Sequence, residues 1–332
     1  MILFKCHVNN KIGWGHLFRC ISIATELKKF KKKSILFSSG GNKILKKINI
    51  NPFVMCYEEK TLTHQSKNIY NLLQIIKKQK VKKIIIDDNR INSNIRRKIK
   101  SLGCKIIQLN YDFNKFKNAD IVINHRVTKN ELDKSIKLYN GIKFLIVRKN
   151  LVNKINYKKF KSIKNIILTF GGSYNNKTIK LLKYISELKI LHNYKLHIIL
   201  PNKKIQKTLN VKNNKYINFY INPNFKIIKK IYRICEMGIC AGGIQLAELI
   251  NNQINVLAIP KNNQERKNIY FYTKLNLCHK LKDDNLSYLE IKKKIIELIK
   301  NLTSRKNINQ NIIKLIDGNG AFRASKIILS DN

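Results

Sequence analysis

Ile2-Leu3-Phe4-Lys5-Cys6-His7-Val8 is a short apolar run, Asn9-Asn10-Lys11-Ile12-Gly13-Trp14-Gly15-His16 is a turn with two glycines, and Leu17-Phe18-Arg19-Cys20-Ile21-Ser22-Ile23-Ala24 opens an amphipathic helix. An apolar strand that feeds a helix through a glycine turn is the first half of a β-α-β unit, from which parallel sheets covered on both faces are built. The alternation continues along the chain. Strands are predicted over 2–8, 34–38, 53–56, 83–87, 105–109 and 121–124, with helices such as 16–30, 65–79 and 93–102 between them. A second series has strands over 165–170, 195–200, 216–220, 237–240 and 255–259, and an almost wholly helical end over 285–302, 305–315 and 321–329.

The stretch 127–164 has no clean period and carries Asn140-Gly141, so the connection between the two series is expected near residue 155. The fold class is therefore α/β, with two doubly wound Rossmann-like domains over 1–155 and 156–332, expected to face each other across a cleft. In open α/β sheets ligands bind outside the carboxyl ends of the strands, so the turns after the strands are the places to look for chemistry.

The chain has 332 residues, with 67 Lys plus Arg against 19 Asp plus Glu and a formal net charge of +48. Taken alone, that charge points toward nucleic acid or an anionic membrane. The make-up of the charge speaks against a specific nucleic-acid surface. Lys, Ile and Asn number 57, 56 and 44, all residues of A/T-rich codons, and only 10 of the basic residues are Arg, the side chain suited to bidentate phosphate and base recognition. No specific nucleic-acid partner is expected, and contact with an anionic membrane is expected to be weak and peripheral. Seven cysteines without a Cys-x-x-Cys pair argue against zinc and suit reduced thiols in the cytoplasm. No apolar run approaches the ~18 residues that cross a bilayer. A monomer with neither metal nor cofactor is expected.

Four turns carry candidate chemistry. Gly13 and Gly15 let backbone approach a ligand and put His16 at a helix N-terminus, where amides and the helix dipole favour an anion or developing negative charge. His16 is the candidate general base. A dinucleotide site fits poorly, because Phe18 stands where a third glycine belongs. Ile84-Ile85-Ile86-Asp87-Asp88-Asn89 places carboxylates at a strand's carboxyl edge; Asp87 is the second catalytic candidate, and the alternative is that Asp88 or Asn89 caps the following helix while Asp87 hydrogen-bonds loop backbone. Gly171-Gly172-Ser173 and Ala241-Gly242-Gly243 each follow a strand and precede a helix, so their amides can surround phosphate oxygens. Glu248 lies where it can accept ribose hydroxyls, and Asn263 and Gln264 follow a further strand.

Taken in order, Gly15-His16, Gly171-Gly172-Ser173, Ala241-Gly242-Gly243 with Glu248, Asn263-Gln264 and the terminal Asp317-Gly318-Asn319-Gly320-Ala321-Phe322-Arg323 resemble the pseudaminic-acid pathway nucleotide-sugar hydrolase family. That family removes UDP from a diacetamido-trideoxy-altrose and is similar to glycosyltransferases of the GT-B type. The resemblance implies two GT-B domains, an inverting, metal-independent hydrolysis with His16 as base, and UDP held mainly by the second domain, with Glu248 and Asn263 touching nucleotide or sugar. Arg19 and Arg148 join the glycine turns as expected substrate-binding residues. The chain departs from the pattern too. Lys5 and His7 stand where the family carries Arg-x-Asp, no tyrosine follows Asp87-Asp88-Asn89, and Val147-Arg148-Lys149-Asn150-Leu151 keeps only the Arg of Leu-Arg-x-Glu-Phe.

Three functions compete on these grounds: a UDP-sugar hydrolase, a GT-B glycosyltransferase using a UDP-sugar in surface polysaccharide synthesis, and a non-catalytic binding protein for which only the net charge speaks.

Overall fold

The structure, a computed structural model, describes residues 1–8, 13–48, 50–59, 65–88, 90–109, 118–126, 134–153, 162–172, 174–211, 215–281 and 287–330. It divides into two compact units, Met1–Arg148 with Gly318–Asn332, and Lys149–Asp317.

The first unit runs β1 (Ile2–His7), α1 (Gly15–Lys29), β2 (Ser34–Ser39), α2 (Gly41–Ile48), β3 (Met55–Glu58), α3 (Gln65–Lys78), β4 (Lys83–Asp87), α4 (Ser93–Lys100), β5 (Lys105–Gln108), β6 (Ile121–Asn124) and β7 (Lys137–Asn140). The strands form one sheet in the order β3-β2-β1-β4-β5-β6-β7, and every pair is parallel. β1 is buried along its whole length because helices cover both faces, which is why it reads as a continuous apolar run. Leu3, Ile35, Phe37, Ile84, Ile86 and Ile106 pack on one face against Leu72 and Ile76 of α3 and Ile95 and Ile99 of α4. The order of connection reverses between β1 and β4. That reversal opens a crevice at the carboxyl edge between the two strands.

The second unit runs β8 (Asn165–Thr169), α5 (Asn176–Ser186), β9 (Lys195–Leu200), α6 (Lys203–Leu209), β10 (Ile217–Ile221), α7 (Phe225–Ile234), β11 (Met237–Cys240), α8 (Ile244–Asn251), β12 (Asn255–Ala258), α9 (Asn263–Lys274), α10 (Tyr288–Lys300) and α11 (Leu302–Leu315). Its sheet has the order β10-β9-β8-β11-β12, again parallel, with the same reversal between β8 and β11. The two parallel sheets establish the expected α/β class.

Two expectations are corrected. The last helix, α12 (Gly320–Ser330), returns to the first unit instead of closing the second. Its Phe322 stacks on Phe30 with ring centroids 6.1 Å apart, and Lys83 donates to the carbonyl of Ile328 at 2.6 Å. Gly320 permits this docking, since a Cβ there would lie 2.1 Å from the Leu145 carbonyl oxygen. The first unit accordingly ends at Arg148 and takes back the tail. The aperiodic stretch also contains a strand, β7, whose exposed, Lys-bearing edge position removes the apolar signature of its neighbours.

Asparagine starts many of the helices. Asn92, Asn175, Asn202, Asn224, Asn262 and Asn301 each accept from the amide three residues on, as N-caps. The helices after β1 and β11 differ: α1 follows Trp14 and α8 follows Gly243, neither with a side-chain cap. Among the described residues no side chain accepts from their first-turn amides, and in α8 the Leu246 amide donates to the Gly243 carbonyl at 3.1 Å.

Candidate functional site

In the first unit the turn after β1 and the end of β4 meet at the reversal point. Gly13 adopts φ +81°, a conformation that L side chains rarely take. One residue into α1, His16 turns its Nδ1 toward the buried Asp87, 2.8 Å from Oδ1. Arg19 donates from Nε to Asp87 Oδ2 at 2.8 Å and from Nη2 to Oδ1 at 2.9 Å; the same Nη2 lies 3.0 Å from His16 Nδ1. Asp87 is fully buried, whereas His16 is 18% and Arg19 25% exposed. Burial pushes the Asp87 carboxyl up, but the Arg19 guanidinium and then His16 outweigh it and hold it at about 2. An ionised Asp87 can only accept, so Nδ1 donates to it, and Nε2 is the ring nitrogen left on the far side from the carboxylate. The result is an imidazole oriented by a buried carboxylate.

Arg19 is therefore occupied with Asp87, a role the expected substrate contact did not include. Arg148 stacks its guanidinium over the Phe18 ring, 4.4 Å from the centroid. The cap of α4 falls to Asn92, and the loop bond to Asp88, which accepts from the Arg90 amide at 3.0 Å. Asn89 lies outside the described residues, as do Asn9 to Ile12.

A second cluster occupies the same sheet edge and went unnoticed in the sequence. Lys5 is buried between Asp88, to which it donates, and Glu59, 2.8 Å away. Arg90 reaches Glu59 at 2.6 Å and Asp88 at 2.7 Å. Burial pushes the Asp88 carboxyl up, but Lys5 and Arg90 override it and drive it well below the usual carboxylate range. The cluster borders a cavity of about 160 Å³ walled by Asn68, Leu72, Ile91 and Ile95. The signal was available: in a chain of only 19 acids, Glu58-Glu59 and Asp87-Asp88 both close a strand. His125, just after β6, was also missed. Burial, then Arg126 and Arg19, press its imidazole well below the ordinary histidine value.

In the second unit Gly171 takes φ +83°, and a Cβ there would lie 3.6 Å from Gln245 Oε1 and 3.9 Å from Lys261 Nζ; Gly172 is open. Ser173 lies outside the described residues. Gly242 is required, because a Cβ would meet the Glu265 carbonyl oxygen at 2.5 Å; Asn268 donates to the Gly242 carbonyl at 2.7 Å. Gly243 then leads into the uncapped start of α8. Lys261 donates from Nζ to the Phe170 carbonyl at 2.7 Å, and its amide to Glu265 Oε2 at 2.8 Å. Burial lowers its ammonium pKa, while Glu265 opposes that shift. The sequence reading passed over Lys261, although it directly follows the last strand and Pro260.

Other expected residues are placed differently. Ala241 belongs to the core of the unit, so its side chain is taken up in packing. Glu248 is buried and accepts from Tyr232 Oη at 3.3 Å, so its carboxylate is engaged in packing rather than open to a ribose. Asn263 and Gln264 open α9 in exposed positions, with Asn263 accepting from Arg266 at 3.0 Å. Among the described residues no group of three His, Cys, Asp or Glu is placed to hold a metal, and no helix is long and apolar enough to cross a membrane.

No family model matches the chain. Over 283 residues it is 29% identical to the uncharacterized protein MJ1062 of Methanocaldococcus jannaschii, which covers 77% of this chain but only 55% of that protein; the chain thus spans about half the length of this relative. The solved structure of MurG from Acinetobacter baumannii superposes over 99% of both chains with a TM-score of 0.66 and 14% identity. UDP-GlcNAc 2-epimerase from Neisseria meningitidis, bound to UDP-GlcNAc, superposes over the whole of both chains with a TM-score of 0.67 and 13% identity. At such identities the likeness is one of architecture, and together with the two parallel sheets it identifies the chain as a protein of the GT-B fold.

Proposed function

We propose that the chain is a nucleotide-sugar hydrolase that releases UDP and a free diacetamido-trideoxy sugar. The observation that carries this reading is His16 Nδ1 held 2.8 Å from a buried, ionised Asp87 at the carboxyl edge of a parallel sheet. In the reaction His16 Nε2 takes a proton from water as its oxygen attacks the anomeric carbon. The bond from that carbon to the phosphate oxygen breaks, its electron pair leaves with UDP, and the configuration inverts. Asp87 balances the imidazolium that forms. Gly171, Gly172, Gly242, Gly243 and the open first turn of α8 offer amides to the diphosphate, with Lys261 as a nearby cation. Asn263 and Gln264 are the remaining candidates for contact with the sugar.

A second reading, a glycosyltransferase in which a sugar hydroxyl replaces water, is favoured by the likeness to MurG and by the loss of the tyrosine after Asp87-Asp88. One experiment separates the two. Purified protein is incubated with UDP-2,4-diacetamido-2,4,6-trideoxy-β-L-altropyranose and UDP is followed by chromatography. UDP release without acceptor, abolished in His16→Ala, supports the hydrolase. Release only on adding a glycan or lipid extract supports the transferase, and no release in either arm rejects both.

A further inference from the structure

We propose that Arg19 is a positioning residue for His16, not a ligand for the substrate. The inference deepens the reading of His16 as a base and rests on it. Asp87 has no access to water, so its charge must be met by neighbours. From α1 these are His16, Arg19 and Cys20, and from β1 Cys6; Arg19 also faces His125, beyond β6. Of these only Arg19 carries a permanent positive charge. Were Arg19 absent, the buried carboxylate would have His16 as its one close cation among the described residues. The imidazole would then be held protonated, and a histidine that keeps its proton cannot take another from water.

The geometry resolves that conflict. Arg19 grips both oxygens of Asp87, at 2.8 and 2.9 Å, which fixes the carboxylate plane and leaves Oδ1 aimed at the imidazole. The same Nη2 stands 3.0 Å from His16 Nδ1 and sets a positive charge against the ring. Asp87 favours the imidazolium and Arg19 opposes it, so His16 can accept a proton and release it in each turnover. Nε and Nη2 of Arg19 are thus held by a fully buried carboxylate and are not offered to a substrate phosphate.

The test compares the full chain with Arg19→Gln and Arg19→Lys, each checked for native circular dichroism. With the UDP-sugar above, Arg19→Gln is expected to lower kcat about tenfold or more while KM stays within about threefold. The acid limb of its rate profile should move to higher pH by about one unit, and Arg19→Lys should recover part of both effects. A KM raised about tenfold with an unmoved pH profile would make Arg19 a substrate ligand and overturn the proposal. A readout without turnover keeps the two readings apart. In protein carrying labelled histidine, the imidazole signal missing from His16→Ala should titrate at higher pH in Arg19→Gln than in the parent. Should the parent release no UDP, the hydrolase reading fails while this titration still decides Arg19; an unchanged titration in both variants rejects the positioning role.

Discussion

Replacing Asp87 by Asn tests the electrostatics of the site through stability alone. The folded carboxyl titrates at about 2 against 3.8 for the free group. Its folded value is depressed, so its contribution is complete above about pH 5, declines as the pH falls, and is gone below about pH 2. The difference corresponds to about 2 kcal/mol, undiscounted because the group is fully buried. Asparagine keeps one acceptor oxygen for Arg19 but turns an NH2 toward donors, so the variant is less stable at pH 7. That penalty must shrink on acidification, because the parent then loses a charge that the variant never had. Trp14, the lone tryptophan, precedes α1 and lies 6.3 Å from Phe18. Its fluorescence therefore reports unfolding of the first unit without interference from the second. Urea titrations at pH 6, 4 and 2 should show the gap between parent and Asp87→Asn narrowing by about 2 kcal/mol. A gap constant to within about 0.5 kcal/mol over that range would mean that Asp87 titrates alike in both states and that its charge adds nothing to the stability of the fold.

Lys5→Met removes one cation from a cluster that keeps Asp88 and Glu59 buried, and should cost about 3–5 kcal/mol in the same fluorescence assay. Gly242→Ala forces a methyl group onto the Glu265 carbonyl oxygen and Ile269, and should lower the calorimetric stability of the second unit by about 1–3 kcal/mol. Lys261→Ala should weaken UDP binding about tenfold by titration calorimetry, as expected for removing one charge-assisted hydrogen bond beside the Gly171 turn.

Much of the fold was legible because parallel strands covered on both faces write themselves as apolar runs. β1, β4, β8 and β11 fall where the apolar runs put them. The edge strands shift or escape: β3 is displaced to Met55–Glu58 from the expected 53–56, and β7 is partly exposed and carries a lysine. The destination of α12 was not legible, because its amphipathic face matches any apolar groove and the choice of unit rests on the close approach at Gly320. The glycine turn singled out His16 and the strand end Asp87, and the structure brings these two side chains together. Glu248, a carboxylate in an apolar helix, was read as facing a ribose, whereas its side chain is buried and accepts from Tyr232, 16 residues earlier. Contacts of that kind leave no trace in local spacing.

The rarity of arginine carries more information than the abundance of lysine. With 57 lysines spread along the chain, position says little about any one of them; with 10 arginines, each asks for a reason. Two of them give the same one. Arg19 spans both oxygens of Asp87, and Arg90 spans Asp88 through Nε and Nη2 while reaching Glu59. These are forked contacts to successive carboxylates, and an ammonium on a flexible stem cannot reproduce them. Where a single point of positive charge suffices, as between Asp88 and Glu59, the residue is Lys5. Arginine stands where the geometry of a carboxylate must be held as well as its charge neutralised. Asp87 is the one of these acids that touches the imidazole, so the geometry Arg19 holds there also sets the direction of the His16 ring.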